Sequence, residues 1–514
     1  MKNAVGRVVP EHLAGYGAVK PFAGAFHTIP AMCRQAPAVK ICKPGQSKLV
    51  NNLEEVFQQI PVKDGMTLSF HHHFRNGDGV LNMVLATAAR LGLKNLTIAV
   101  SSVFPVHAPL IEHIKNGVVT ALDTNYMSGP VAEAISRGLL DKPVMMRTHG
   151  GRARAIECGQ LKIDVAFIAA PAADDYGNIN GVQGPAACGS LGYAIPDAEY
   201  AQYVVAVTDY LCEYPLAPVS ISQTRVDYVV KVDSIGDPKG IVSGSTKVTK
   251  DPVGLRIAQT AAKVIKAAGL IKEGLSFQTG AGGASLATAH FVGKMMEQAG
   301  ITASFAMGGI TGYLVDMLNR GLLRKITDVQ GFDLDAVHSI GNNPNHLEVS
   351  AGQYANPFNS GCIVNKLDTV FLGATEIDTD FNVNVTTGSN GLIMGGSGGH
   401  SDAAAGAKIT LIVANLLRGR LPTVVDKVLT VTTPGETVDV LVTERGVAVN
   451  PRRGDLREKL LAAGLSVKDI RELKQEAEKL AGVPEKIKTS DRIVAVVEYR
   501  DGTMIDVVRQ VLDK

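Results

Sequence analysis

The second half of this chain repeats the first. Residues 110–120 read like residues 314–324, and residues 163–184 like residues 367–388, both at a spacing of 204. In the longer pair Asp164/Asp368, Phe167/Phe371, Ala170/Ala374, Asp174/Asp378, Asn178/Asn382, Asn180/Asn384 and Gly184/Gly388 are identical. Chance could supply one such match; two at a common spacing argue for two domains of one fold. At 514 residues the chain is also too long for one compact core. We expect a first domain over residues 49–240 and a second over 241–514, divided near Asp237–Gly240, ahead of a helix from Asp251 to Ala268.

Each copy has an α/β rhythm. A short amphipathic helix at Leu49–Ile60 precedes an apolar strand, Met66–Phe70, and a helix, Leu81–Leu91, closed by Gly92. The strand Leu96–Val100 and the helix Leu110–Lys115 follow. Such alternation implies, in each domain, a mainly parallel sheet flanked by helices. Residues 1–48 differ. Pro10, Pro21, Pro30, Pro37 and Pro44 interrupt them, and Lys2, Arg7, Lys20, Arg34, Lys40, Lys43 and Lys48 stand against Glu11. They read as a basic arm, solvated or loosely packed, with an arm wrapping a neighbouring subunit or an acidic partner as the alternative.

Several function classes are excluded at this stage. Lys plus Arg, 51, nearly equals Asp plus Glu, 49, so no strong field calls for nucleic acid. No apolar run approaches the roughly 18 residues of a membrane helix; Ile409–Leu417 reads as part of a buried helix running from Asp402. The N-terminus lacks a signal pattern, and Cys33, Cys42, Cys158, Cys188, Cys212 and Cys362 form no CxxC pair. A cytoplasmic protein with free thiols is expected.

The repeat isolates a candidate chemistry. Glu376 follows the strand Leu367–Leu372, and the glycine turn Gly395–Gly399 follows it; the first half has Ala172 and Leu191–Ile195 there. Glu376 could attack an acyl group while the Gly398 and Gly399 amides hold the oxyanion, or it could be an ion-paired or capping carboxylate. Gly280, Gly282 and Gly283 follow another strand and could seat a phosphate or a pantetheine arm, or make a tight turn. Ser285 stands where a third glycine of GxGxxG belongs, so a nicotinamide site is not expected. Of His71–His73 at most two could converge, and no metal is expected. Arg75 and Arg152 suit a polycarboxylate, since guanidinium forks grip carboxylates bidentately.

Glu376 in ATEIDTDFNVNV, the run GGSGGHSDAAAGA and VLVTERGVAVNPRR at 440–453 resemble the coenzyme A transferases. SFHHHFRNGDGVLNMV (69–84), THGGRARAIECGQLKIDVAF (148–167), FQTGAGGASLA (277–287) and NPNHLEVSAGQYAN (343–356) are more similar to the citrate lyase alpha-chain family, over about residue 48 to the end. The resemblance implies two coenzyme A transferase-like domains with the site between them. It implies a citrate coenzyme A-transferase: citrate plus acetyl-carrier protein gives citryl-carrier protein plus acetate. It further implies a cytoplasmic, homo-oligomeric complex with a beta chain, which cleaves the citryl thioester to oxaloacetate, and a gamma chain, the acyl carrier protein. The thiol would belong to the gamma chain's dephospho-coenzyme-A-type arm, with no tightly bound cofactor on this chain; acetyl-coenzyme A could serve instead. On this basis Asn382 and Asn384 join the glycines of 280–283 in holding the thioester arm, and His72 joins Arg75 and Arg152 in holding citrate. Covalent attack by Glu376 and direct attack by citrate, through a mixed anhydride, both remain open. A transferase or hydrolase for another short acid, such as acetate or citramalate, is the rival enzyme; a non-catalytic subunit that docks the carrier is the rival of another class.

Overall fold

The computed structural model describes residues 1–27, 42–43, 45–242 and 248–512. Its two halves are built on the same seven-strand core. In the first, the order across the sheet is Val144–Met146, Val119–Thr124, Leu96–Val100, Thr67–Phe70, Val165–Ala169, Tyr203–Thr208 and Tyr228–Lys231. In the second it is His346–Glu348, Ile326–Gly331, Phe305–Ile310, Ser276–Thr279, Thr369–Leu372, Ile409–Val413 and Val440–Thr443. Every neighbouring pair within these two sets is parallel. The central strands are buried along their whole length, as in Val165–Ala169 and Ile409–Val413. That burial is why they read as continuous apolar runs, with helices covering both faces.

The repeat also survives in detail. Ala172–Asp174 and Ile179–Asn180 pair antiparallel, as do Glu376–Asp378 and Val383–Asn384, 204 residues on. In each hairpin the aspartate closes the turn. Asp174 accepts from the Asn178 amide at 3.0 Å and its side chain at 2.8 Å; Asp378 accepts from those of Asn382 at 3.0 and 3.2 Å. Asp and Asn recur there because their short side chains hydrogen-bond the local backbone.

Three expectations need correction. The run from Asp402 to Leu417 is not one helix. A helix spans His400–Gly406, and Ile409–Val413 is a central strand paired with Thr369–Leu372. Five β-branched or apolar residues in a row suit a strand buried on both faces as well as a buried helix, so periodicity alone misleads here. In the same way Leu49–Val50 is a short edge strand, and the first helix is Leu53–Gln59, capped by Asn52. Second, the expected boundary at residue 514 for the second domain does not follow the sheets. The hairpin Thr489–Glu498 and Met504–Val511 joins the first half's sheet beside Val144–Met146, completing ten strands. Glu498 anchors it, buried against Arg147 and against Arg154 at 3.0 Å.

Third, residues 1–27 are not a solvated arm but pack on that hairpin of their own chain. Phe22 is fully buried, edge-on to Tyr499 at 4.7 Å. The Asn3 side chain donates to the Met504 carbonyl at 3.1 Å, and the Met504 amide to the Lys20 carbonyl at 2.7 Å. The chain's two ends thus hold each other. The rest of the expected arm, residues 28–41 and 44, lies outside the described residues. Among the described residues no helix is long and apolar enough to cross a membrane.

Candidate functional site

A cavity of about 280 Å³ opens between the two halves. It lies beyond the carboxyl ends of the central strands Thr67–Phe70 and Ser276–Thr279, where the chain leaves each sheet. Open α/β sheets place ligands there, because the diverging loops leave a crevice. The first half contributes His72, Arg75, Phe104, Tyr126, His149 and Tyr193. The second contributes Gln278, Gly280, Gly282, Gln330, Phe332, Tyr354 and the loop Gly396–His400. The buried Gln330 side chain donates to the His72 carbonyl at 2.8 Å, tying the halves at the cavity wall.

The glycine loop docks on the first half by its backbone. The Met127 amide donates to the Gly395 carbonyl at 3.1 Å, the Gly398 amide to the Asn125 carbonyl at 3.2 Å, and the His149 amide to the Gly398 carbonyl at 2.8 Å. A Cβ at Gly396 would lie 2.3 Å from the Asn125 oxygen, and one at Gly399 2.2 Å from the Tyr354 hydroxyl. Glycine is needed because another backbone or a tyrosine occupies the space. The expected oxyanion pair is therefore split. The Gly398 amide is spent on Asn125, whereas the Gly399 amide has no acceptor among the described residues. Asp402 completes the joint: it accepts from Thr148 Oγ1 and from the Gly150 amide, both at 2.9 Å, and burial pushes its carboxyl up to about 6.

The other expected residues divide sharply. Glu376 does not line the cavity. It is buried in its short strand, where its carboxylate accepts from Asn384 at 3.0 Å, the Leu429 amide at 3.1 Å and Ser389 at 3.3 Å. Asn384 also donates to the Thr387 carbonyl at 3.0 Å, and the Asn382 side chain donates to Asp378 and accepts from the Gly435 amide at 2.9 Å, so both side chains are engaged within the second half. Neither lines the cavity. Arg152 is buried, its fork closed on Asp197 by two 2.7 Å bonds, and it too is absent from the wall. Asp197 is also 3.2 Å from His71. Burial raises its carboxyl, but Arg152 and His71 together pull it well below the usual range. A buried guanidinium demands a carboxylate partner, and here the protein itself supplies one.

Arg75, His72, Gly280 and Gly282 do line the cavity. Arg75 takes the left-handed backbone conformation, φ 53°, rare for a bulky residue. Its guanidinium lies between two rings, 5.2 Å from Phe104 and 5.1 Å from Phe332. The Gly280 amide is bonded to Phe371 at 2.7 Å. Gly282 caps, and Gly283 begins, the long helix Gly283–Ala299, with no side chain at the cap. Beside it, Thr279 Oγ1 and Ser285 Oγ are buried without partners. The three consecutive histidines go three ways: His71 to Asp197, His72 to Ser101 and His73 to the Ala169 carbonyl at 2.8 Å. Among the described residues no three His, Cys, Asp or Glu cluster as metal ligands.

The resulting field is simple. Among the described residues no Asp or Glu lines the cavity, and Arg75 is its only lysine or arginine. Burial holds His72 well below the ordinary histidine range, His149 at about 3 and His400 at about 4, so all three are neutral at pH 7. The space suits an anionic ligand held against one fixed cation. His149, Tyr193, Gln330, Phe332 and Tyr354 were not legible as site residues. His149 and Tyr354 lie in segments that carry the family resemblance but were not singled out themselves, and His149 opens the helix His149–Glu157.

Residues 46–511 match the family model described as citrate lyase, alpha subunit (CitF). The chain is 49% identical to the citrate lyase alpha chain of Klebsiella pneumoniae over 511 residues, covering 99% of each. It is 52% identical to that of Escherichia coli K12 over 487 residues, 95% of this chain and 94% of the other. Among solved structures it superposes with TM-score 0.96, at 50% identity and 100% of both chains, on a Streptococcus mutans protein described as the alpha subunit of citrate lyase, in complex with citrate. A Pseudomonas malonate decarboxylase hetero-tetramer shares the fold, with TM-score 0.63 at 18% identity over 85% of this chain and 88% of the other.

Proposed function

Because this chain belongs to the citrate lyase alpha-subunit family, acting as the citrate coenzyme A-transferase of the multi-subunit complex, we propose that it catalyses direct attack of citrate on an acetyl thioester in the cavity between its halves. The observation that carries this reading is a cavity with Arg75 on its wall and no carboxylate there among the described residues. A nucleophilic glutamate would have to reach the thioester, and Glu376 is buried elsewhere with its oxygens occupied. Citrate brings its own carboxylate nucleophile.

A citrate carboxylate oxygen bonds to the acetyl carbon, and the carbonyl pair moves onto oxygen. The tetrahedral oxyanion collapses and expels the thiolate, leaving a citryl–acetyl anhydride. The thiolate then attacks the citryl carbonyl and expels acetate. No proton is consumed, and a thioester replaces a thioester, so positioning and oxyanion stabilisation supply the rate. Arg75 holds a citrate carboxylate, supported by its place on the wall and by a planar fork matched to that group. The Gly280–Gly283 turn, with a helix N-terminus behind it, suits the thioester arm. That arm is the dephospho-coenzyme-A-type group of a gamma chain, and a beta chain consumes the citryl thioester. The complex is a cytoplasmic homo-oligomer of such units. Glu376 is a positioning residue for the backbone around it.

The test is a trap. The chain is incubated with acetyl-coenzyme A, with and without citrate, quenched with hydroxylamine, and residue 376 is mapped by mass spectrometry. The expected result is citrate-dependent acetate release without modification of Glu376. Modification before citrate is added would replace direct attack with a covalent, two-step exchange.

A further inference from the structure

Direct attack needs a group that stabilises an oxyanion without ion-pairing citrate or attacking the thioester. We propose that His149 is a catalytic residue whose imidazole Nε2–H donates to the oxyanion formed on the acetyl carbon, with the Gly399 amide as the second donor. The inference rests on the direct-attack reading above.

Geometry is the first support. His149 opens the helix His149–Glu157, and its backbone amide is held by the Gly398 carbonyl at 2.8 Å. One joint therefore presents both donors, the ring from the first half and the Gly399 amide, next in the chain to Gly398, from the second. The ring faces Gly398 closely: a Cβ built there would lie 3.2 Å from His149 Nε2. The imidazole plane is set by its neighbours, with ring centres of Tyr193 at 4.3 Å and His72 at 5.4 Å.

The two ring nitrogens are distinct. Nδ1 is buried and has no hydrogen-bond partner, which leaves Nε2 to open on the cavity that His149 lines. A neutral imidazole carries one N–H and one lone pair. A lone pair is the cheaper of the two to leave unpaired in the interior, so the proton belongs on Nε2. Burial and Arg152 hold the group at about 3, which keeps it neutral at pH 7.

A neutral donor suits this reaction. The carbonyl oxygen of a bound thioester carries little charge, whereas the tetrahedral oxygen carries a full one. A donor aimed at the second gains strength as charge develops, which lowers the barrier without tightening substrate binding. A histidinium would pair with citrate in the ground state instead. Because no proton is transferred in either displacement, the ring need only donate, never exchange.

The test uses the assembled complex carrying His149→Phe or His149→Gln. Phenylalanine keeps a stacked ring but has no N–H; glutamine keeps an N–H donor but has no ring. The Phe variant should lose about 10²-fold or more in kcat for citrate-dependent acetate release, with KM for citrate nearly unchanged. The Gln variant should retain at least about tenfold more activity than the Phe variant. A Phe variant as fast as wild type, a rise in KM with kcat unchanged, or equal losses in both variants would overturn the role. Wild-type complex that modifies Glu376, or releases no acetate with citrate, would instead overturn the direct-attack reading.

Discussion

The Arg75 guanidinium sits 5.1 Å from the ring of Phe332, a residue of the other half of the chain, and 5.2 Å from Phe104 of its own. The only lysine or arginine of the cavity wall among the described residues is thus held by both repeats at once. Phe332 can stand there because Gly309 has no side chain: a Cβ on Gly309 would lie 2.1 Å from the ring's Cζ. Such a stack is worth about 0.5–2 kcal/mol. Phe332→Leu should therefore raise the citrate KM by roughly 2- to 30-fold. Gly309→Ala, by pushing the ring off, should do the same, and Arg75→Ala should do more. Initial rates of acetate release against citrate decide it; an unchanged KM in all three would remove Arg75 from the citrate pocket.

Glu376→Gln preserves a side-chain oxygen for the groups Glu376 now binds. Its citrate-dependent acetate release should stay within about tenfold of wild type, since loss of a true nucleophile costs far more. Glu376→Ala leaves the Leu429 amide without its acceptor and removes one of those of the Asn384 side chain. It should cost about 1–3 kcal/mol of stability. Urea unfolding of the two variants, beside their rates, separates positioning from catalysis.

Arg152 behaves as a structural ion. Removing it leaves the Asp197 carboxylate buried with His71 alone. Arg152→Ala should lose about 3–5 kcal/mol, the usual cost of an unpaired buried charge. Asp197→Asn in the same background should recover part of it. A soluble, fully stable Arg152→Ala chain with a raised citrate KM would return Arg152 to the substrate.

His400 links stability to pH. Its Nδ1 bonds Thr433 at 2.7 Å and its Nε2 donates to the Gly373 carbonyl at 2.9 Å, and burial lowers its pKa from 6.5 to about 4. Between those values the unfolded chain holds a proton there that the folded chain does not. Stability from this group is present above pH 6.5 and is lost as pH falls towards 4, by about 1.4 kcal/mol per unit. His400→Gln removes that proton. Its unfolding free energy relative to wild type should therefore improve as the pH drops from 7 to 5. A difference between the two chains that stays constant with pH would contradict the linkage.

The chain's short-range order was legible because it is written in local terms. Strand–helix alternation, glycine and proline stops, and a 204-residue repeat of Asp and Asn turns all act within a few residues or by direct comparison of segments. They sufficed for two α/β copies; the family came from the resemblance of whole segments such as GGSGGHSDAAAGA. Arg75, singled out for its guanidinium fork, Gly280 and Gly282, for their turn after a strand, and His72, implied by the resemblance, do line the cavity. Ile409–Val413 misled because a short apolar run carries no period.

What the sequence by itself determined is thus the architecture and the family; which of the candidate side chains meet at the cavity was decided only by the tertiary structure. Glu376 and Arg152 look reactive as isolated side chains, but burial gives each a partner. His149 and Phe332 look structural, but they meet Gly398 and Arg75 across the two halves. Charge, protonation and hydrogen-bonding capacity depend on which neighbours remove water from a group. Those neighbours come from segments hundreds of residues apart, joined by the glycine loop and by Asp402, and no local pattern encodes the meeting.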